Sequence, residues 1–195
     1  RLWHLLTHSS GLEPFLDAKE LEQKYGRPCS TDVLVKHIAG LRKGSLPGQT
    51  FTYSCLGYII LASIVKSVSG QTIAEFSAAN IFKPLGMSST CYNPPADYLA
   101  RCVPTQVTDG TPLCGVVHDP LARLQGGISG NAGLFSSADD LAVFSRMMLN
   151  GGESGRARIL SPLAVERATE IFPRVNSTGR GLGWDLNSDY ATVRG

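Results

Sequence analysis

Phe51-Thr52-Tyr53-Ser54-Cys55-Leu56-Gly57-Tyr58 joins a short polar loop to the start of a long apolar segment. Pro47-Gly48 just upstream has the chemistry of a turn. From Leu56 to Val68 nearly every residue is apolar, the pattern of a helix buried over most of its surface, and Gly70 closes it. A tyrosine at the mouth of such a helix has a rigid mount, which a proton-transferring group requires. The bland role for the same residue is to pack its ring and hydrogen-bond its hydroxyl.

The chain has 195 residues, 43% of them hydrophobic, enough for one domain with its own core. Charged residues are 17% and the formal net charge is +2. Lysines and arginines are scattered and no basic run occurs, which argues against a nucleic-acid partner. The longest mainly apolar run, Gly57 to Val68, is too short for a membrane span, and Lys66 and Ser67 interrupt its end. The chain opens on Arg1-Leu2-Trp3-His4 without an initiator Met or a signal-peptide pattern, and stops at Val193-Arg194-Gly195. Both ends read as cut, so a fragment is expected. The five cysteines (Cys29, Cys55, Cys91, Cys102, Cys114) include no Cys-x-x-Cys pair, which excludes a zinc ribbon or a dithiol redox motif. Free thiols are expected, with pairing among Cys91, Cys102 and Cys114 as the alternative. Asn176-Ser177-Thr178 fits a glycosylation acceptor pattern that is frequent by chance.

The remaining elements follow from spacing. Leu2 to Leu6 reads as the end of a helix, followed by the polar turn Thr7-His8-Ser9-Ser10-Gly11. A short helix is expected near Ala18 to Lys24. Ser30 or Thr31 caps a helix with Val33, Leu34, Ile38 and Leu41 on its inner face, ended by Gly44. Thr72-Ile73-Ala74-Glu75 is a capping box for a helix to about Ile81, and Pro84-Leu85-Gly86-Met87 turns the chain. Residues 88 to 125 read as a long ordered loop with strands near Cys102–Val107 and Leu113–Val117. A glycine-rich turn, residues 126 to 133, precedes a helix capped by Ser137, with Leu141, Phe144, Met148 and Leu149 as its inner stripe. Ser161-Pro162 opens a last helix to about Ile171, and Gly181-Leu182-Gly183-Trp184 reads as the start of a strand.

Several of these segments together resemble the serine β-lactamase-like hydrolases, a family of class C β-lactamases, D-alanyl-D-alanine peptidases and esterases. Leu5-Leu6-Thr7-His8-Ser9-Ser10-Gly11-Leu12 resembles the segment that follows the family's nucleophile helix. Phe51 to Tyr58 resembles its Tyr-x-Asn element with the helix behind it, and Phe82-Lys83-Pro84-Leu85-Gly86-Met87 its PLGM turn. Ala132 to Leu141 resembles its AGLFSTADDL helix entry, and Gly181 to Trp184 its GLGW strand entry. The matches fall in family order over nearly the whole chain. The resemblance implies an α+β protein: the mainly helical subdomain of the β-lactamase/transpeptidase-like fold, with only part of its antiparallel sheet. It implies one incomplete domain over residues 1–195, with the nucleophile segment before residue 1 and the Lys-Thr-Gly or His-x-Gly strand after residue 195.

The implied chemistry is acyl transfer through a Ser-x-x-Lys serine on a small ester, amide or peptide substrate, without metal or organic cofactor. By resemblance Tyr53 is the catalytic tyrosine, and Cys55 stands where the family has a substrate-contacting Asn. A thiol is a weak donor and acceptor, so this departure puts β-lactam hydrolysis in doubt. It also leaves open a non-catalytic member that binds peptidoglycan-like or peptide ligands. Cys55 at a helix start is itself conceivable as a nucleophile. Asn131 is a second candidate substrate contact. Ser63-Ile64-Val65-Lys66 matches Ser-x-x-Lys literally, but it lies inside the apolar helix and after the tyrosine, against family order. His4 and His8, four apart, lack a third metal ligand, and His8 is expected to make structural hydrogen bonds in its turn. Trp184 is expected to pack. Kinship also suggests a periplasmic or extracellular location.

Overall fold

The computed structural model describes residues 1–108, 110–172 and 179–187. The glycosylation pattern at Asn176 lies outside them. Among the described residues the element order is helical with three short two-stranded antiparallel pairings: α1 (Leu2–Leu6), α2 (Ala18–Tyr25), α3 (Thr31–Ala39), α4 (Cys55–Ser69), α5 (Ile73–Ser77), a π-helical turn (Ala78–Phe82) and α6 (Lys83–Leu85), then β1 (Cys91–Tyr92). A 3-10 helix (Ala96–Arg101), β2 (Val107–Thr108), β3 (Thr111–Pro112), α7 (Pro120–Leu124), β4 (Leu134–Phe135), α8 (Ala138–Leu149), β5 (Glu153–Ser154), β6 (Ala157–Arg158) and α9 (Pro162–Thr169) follow. β1 pairs with β4, β2 with β3 and β5 with β6. This mostly helical architecture with little sheet is the fold class expected from the resemblance.

Helix α4 is the axis of the larger core. Leu56 and Ile59 are wholly buried and pack with Leu34 and Ile38 of α3, Leu21 of α2, and Leu121 and Leu124 of α7. Gly57 lets α1 lie close, since a Cβ there would stand 3.5 Å from the Leu5 carbonyl oxygen. Burial is confined to the first half: Leu56, Gly57, Ile59 and Ala62 are buried, whereas Val68 is 80% exposed. The uniform apolar run thus overstated how much of α4 is enclosed. A smaller core joins Phe82, Leu85 and Met87 to Met147 of α8.

Of the inner stripe expected on α8, Phe144 and Met148 pack against the smaller core, but the other two residues do not. Leu141 and Leu149 face outward, at 54% and 85% exposed, while Asp140 and Met147 are buried. Asp140 is drawn in because its carboxylate accepts hydrogen bonds from the Ser89 N–H (2.8 Å) and the Thr90 hydroxyl (2.7 Å). That polar anchor sets the helix's rotation, which hydrophobic spacing alone could not reveal.

Other boundaries moved for local reasons. Helix α3 ends at Gly40, while Gly44 donates its N–H to the Gly11 carbonyl. The helix begun at Thr72 continues beyond Ile81, because a π turn absorbs the missing N–H of Pro84, and Gly86 then stops it in a left-handed conformation. The strands expected at Cys102–Val107 and Leu113–Val117 reduce to the hairpin β2–β3. Helix α7, capped by Asp119 onto the Ala122 N–H, lies in the stretch expected to be loop, and the hairpin β5–β6 falls where no element is expected. α9 ends at Thr169. Among the described residues the 181–184 segment forms no strand and is flanked by an isolated bridge, Arg180 with Asp185. All five cysteines are free thiols.

The polar turn after α1 is buried rather than on the surface. Thr7, His8, Ser9 and Ser10 are at most 8% exposed, so their polar groups must be satisfied internally. The Thr7 hydroxyl donates to the Trp3 carbonyl (2.8 Å), and Gly48 donates its N–H to the Ser9 carbonyl (2.7 Å). His8, in the left-handed region at φ 54°, grips the loop before α4 on both sides of Tyr53. Its carbonyl accepts from the Thr52 N–H (2.8 Å) and its Nδ1 from the Ser54 N–H (3.0 Å). The Ser54 hydroxyl donates to the Glu13 carbonyl (2.6 Å) and the Cys55 N–H to the Pro14 carbonyl (2.8 Å).

Two outcomes follow for stability. A Cβ at Gly130 would run into the Tyr58 carbonyl oxygen of α4 and stand 2.9 Å from the Ala62 methyl. Gly130→Ala is therefore expected to destabilise the fold by about 3 kcal/mol, read from urea unfolding; an unchanged midpoint would contradict this close approach. His8 supplies the second. Burial first, then the Arg180 charge, push its imidazole from 6.5 down to about 4. Above pH 6.5 the ring is neutral whether folded or unfolded. Below that, the unfolded chain takes up a proton that the folded protein refuses until about pH 4, so stability falls across this window. The urea midpoint of the wild type should drop between pH 6.5 and 4 by more than that of His8→Asn; equal slopes would count against the grip.

Candidate active site

Tyr53, Cys55 and Asn131 line one cavity of about 260 Å³. Three distant parts of the chain build it: the loop and first turn of α4, the glycine-rich turn at Gly130 and Asn131, and the 180–183 segment. His8 and Tyr58 complete its walls. The Tyr53 side chain is neither sealed in the core nor displaced into bulk water: the residue is 44% exposed at this cavity. Its ring stacks on the His8 imidazole with centroids 4.4 Å apart. Its backbone neighbours are held by the His8 grip and by the root of α4.

The cavity wall is electropositive on one side. Arg180 is only 7% exposed, and its guanidinium carbon lies 5.5 Å from the Phe51 ring centroid and 5.7 Å from that of Tyr53. Its Nη2 is 3.2 Å from an Asp185 carboxylate oxygen. Tyr58 donates its hydroxyl proton to the Leu6 carbonyl (3.1 Å), and burial raises its ionisation above the ordinary phenol range, opposed by the Arg180 charge.

Burial likewise raises the Cys55 thiol, outweighing the opposing pull of the Asn131 amide. Burial thus disfavours the charged thiolate that a nucleophilic cysteine needs, despite its place at a helix start.

Asn131 is oriented by a chain of hydrogen bonds. The Thr31 hydroxyl donates to Gln125 Oε1 (3.0 Å), Gln125 Nε2 donates to the Ser129 hydroxyl (2.7 Å), and that hydroxyl donates to Asn131 Oδ1 (2.7 Å). The far end is thus committed as an acceptor, which leaves Asn131 Nδ2 as a buried donor.

The three residues singled out from the sequence, Tyr53, Cys55 and Asn131, come together at this cavity, beside His8, expected to have only a local role, and Tyr58 and Arg180, for which no role is expected from the sequence. The signal for His8 was its setting in a run of small polar residues between apolar segments. Arg180 had no signal beyond adjacency to Gly181-Leu182-Gly183-Trp184. The literal Ser63–Lys66 match lies away from the cavity: Lys66 pairs with Asp32 at 2.8 Å, and the Ser63 carbonyl accepts the Ser67 hydroxyl. Trp184 packs, stacking on Phe144 with centroids 6.5 Å apart.

Comparison with known proteins agrees with this fold. The family profile described as Beta-lactamase matches residues 1–192. A protein named "Putative D-alanyl-D-alanine carboxypeptidase" from Salmonella schwarzengrund is 34% identical over 159 residues, which cover 73% of this chain and 36% of that protein. The chain thus spans about a third of the length of the curated relatives it matches. The crystal structure of a "putative beta-lactamase" from Bacteroides dorei superposes with a TM-score of 0.68 at 25% identity, covering 97% of this chain and 54% of the other. A "Beta-Lactamase/D-Alanine Carboxypeptidase" from Pseudomonas syringae gives 0.68 at 22% identity, covering 94% and 47%. With a profile match across almost every residue, and a shared fold carrying it, the chain belongs to the β-lactamase family.

Proposed function

We propose that these residues form the tyrosine-bearing wall of a serine hydrolase that, in its full-length form, cleaves an ester, amide or peptide bond through an acyl-serine intermediate. The observation that carries this reading is Tyr53: a phenol with a clamped backbone, stacked on a neutral imidazole, and open to a cavity. This reading needs a nucleophilic serine with its lysine in the full-length protein, of whose curated relatives the chain spans about a third. Tyr53 takes the proton of the attacking hydroxyl and returns it to the leaving group, while backbone amides hold the oxyanion. Arg180 sets positive charge against the same ring, which is favourable wherever negative charge develops on the phenol. The name of the Salmonella relative makes a peptide ending in D-alanine the first substrate to try.

Cys55 favours a second reading, a member that binds such peptides without cleaving them. Burial keeps its thiol neutral, and a neutral thiol is a poor substitute for an amide that contacts substrate.

Two measurements on the full-length protein separate the readings. A fluorophosphonate probe should label one serine of the hydrolase and none of the binding module. Tyr53→Phe should lower turnover of a D-alanine-terminated peptide or a simple ester by ~10²–10⁴ with folding intact. Turnover unchanged by that substitution would remove Tyr53 from the chemistry.

A further inference from the structure

Three of the five cysteines lie in a part of the fold that shares no residue with the Tyr53 cavity. Cys91 of β1 and Cys102, which follows the 3-10 helix, line a second cavity of about 710 Å³, and Cys114 follows β3. The β2–β3 hairpin brings the residues after Cys102 back beside those before Cys114. The Thr105 N–H donates to the Leu113 carbonyl (3.0 Å), and the Leu113 N–H to the Gln106 carbonyl (2.8 Å). Each of these two thiols then lies against the other's stretch of backbone. The Cys114 thiol donates to the Cys102 carbonyl (2.9 Å) and is 3.5 Å from the Leu99 carbonyl oxygen. The Cys102 thiol donates to the Tyr98 carbonyl (3.5 Å), and its sulfur is 3.8 Å from where a Cβ of residue 115 would stand. Residue 115 is a glycine at φ 67°, and a side chain there would run into Leu99, so the close approach of the two segments is built into the backbone.

We propose that Cys102 and Cys114 are a dithiol site that oxidises reversibly to a disulfide and closes the hairpin at its base. Cys91 is the weaker partner: its strand pairs with β4 rather than with the hairpin, and burial first, then the neighbouring Cys102, raise its thiol and disfavour the attacking thiolate. The oxidant is a small-molecule disulfide of the glutathione type. Cys114 is exposed and reacts first. Its thiol gives up a proton, its sulfur attacks one sulfur of glutathione disulfide, and that S–S bond breaks to release one glutathione thiol carrying the proton. The Cys102 thiol gives up its own proton, and its sulfur attacks the Cys114 sulfur of the mixed disulfide, releasing the second glutathione thiol. Two protein sulfurs are oxidised, two glutathione sulfurs are reduced, and two protons pass from protein to glutathione. Cys102, Val103 and Thr105 line the larger cavity, so the bond stiffens that wall in an oxidising compartment and releases it in a reducing one. Neither cysteine lines the Tyr53 cavity, so this chemistry stands whether or not the protein is a hydrolase.

The test equilibrates the full-length protein with oxidised or reduced glutathione, alkylates the remaining thiols and reads the digest by mass spectrometry. In oxidised glutathione a linked Cys102–Cys114 peptide should be the main disulfide among these five cysteines, and reduced glutathione should return both as alkylated thiols. Hydrogen exchange gives a second readout. The Thr105 and Leu113 amides, which bridge the hairpin, should exchange on the order of a hundredfold more slowly in the oxidised form, the effect expected when a covalent bond closes a short loop. Cys114→Ser should abolish both the linked peptide and the redox dependence of that exchange. The wild-type digest decides the matter even if this variant fails to fold. Cys114 carrying glutathione while Cys102 is still alkylated, a link through Cys91 instead, or hairpin amides that exchange equally in the two buffers overturns the pairing.

Discussion

The grip of His8 on the backbone either side of Tyr53 is the constraint on which the site rests. A loop residue does not keep a side chain in place unless its own φ and ψ are over-determined. Here one residue supplies two acceptors, its carbonyl for Thr52 and its Nδ1 for Ser54, and a flat ring on which the phenol stacks. The geometry requires His8 to adopt φ 54°, a conformation in which His is more at ease than most non-glycine residues. It also requires an unprotonated Nδ1, and burial together with Arg180 supplies that condition. Electrostatics and backbone geometry are here one arrangement: the cation that lines the cavity also keeps the clamp neutral.

The cavity exists because three segments far apart in sequence converge on the N-terminal half of α4. The helix contributes Cys55 and Tyr58, and its first turn is fastened to the 13–14 backbone by hydrogen bonds from Ser54 and Cys55. The glycine-rich turn reaches α4 closely enough that residue 130 can carry no side chain. The 180–183 segment arrives through Gly183, whose N–H meets the Leu6 carbonyl at 3.3 Å. Leu6 therefore serves two walls, since the same carbonyl accepts the Tyr58 hydroxyl.

Local rules made most of the helical skeleton legible. Ser30, Thr72, Ser137 and Ser161 each accept the N–H that a capping residue should, and Gly70 and Gly86 stop their helices in the left-handed conformation. What local rules missed was tertiary. The rotation of α8 depends on Asp140 finding Ser89 and Thr90, some fifty residues away. Pro84 reads as a stop because the π turn that accommodates it has no signature of its own. At the site, Tyr53 and Cys55 were legible through the helix behind them and Asn131 through the glycine-rich turn. Arg180 was not, since an isolated arginine beside a glycine pair announces neither burial nor the rings of Phe51 and Tyr53 against which it lies.

The hydrogen-bond chain from Thr31 to Asn131 has a consequence for evolvability. Its members lie on α3, at the end of α7 and in the glycine-rich turn, yet they set the polarity of a single atom position in the cavity. Gln125 Nε2 also donates to the Leu121 carbonyl (3.2 Å), an acceptor that cannot reverse its role, so the backbone of α7 fixes the direction in which the relay runs. The atom presented at that position is therefore tied to the framework, and drift at residue 31 leaves it unchanged.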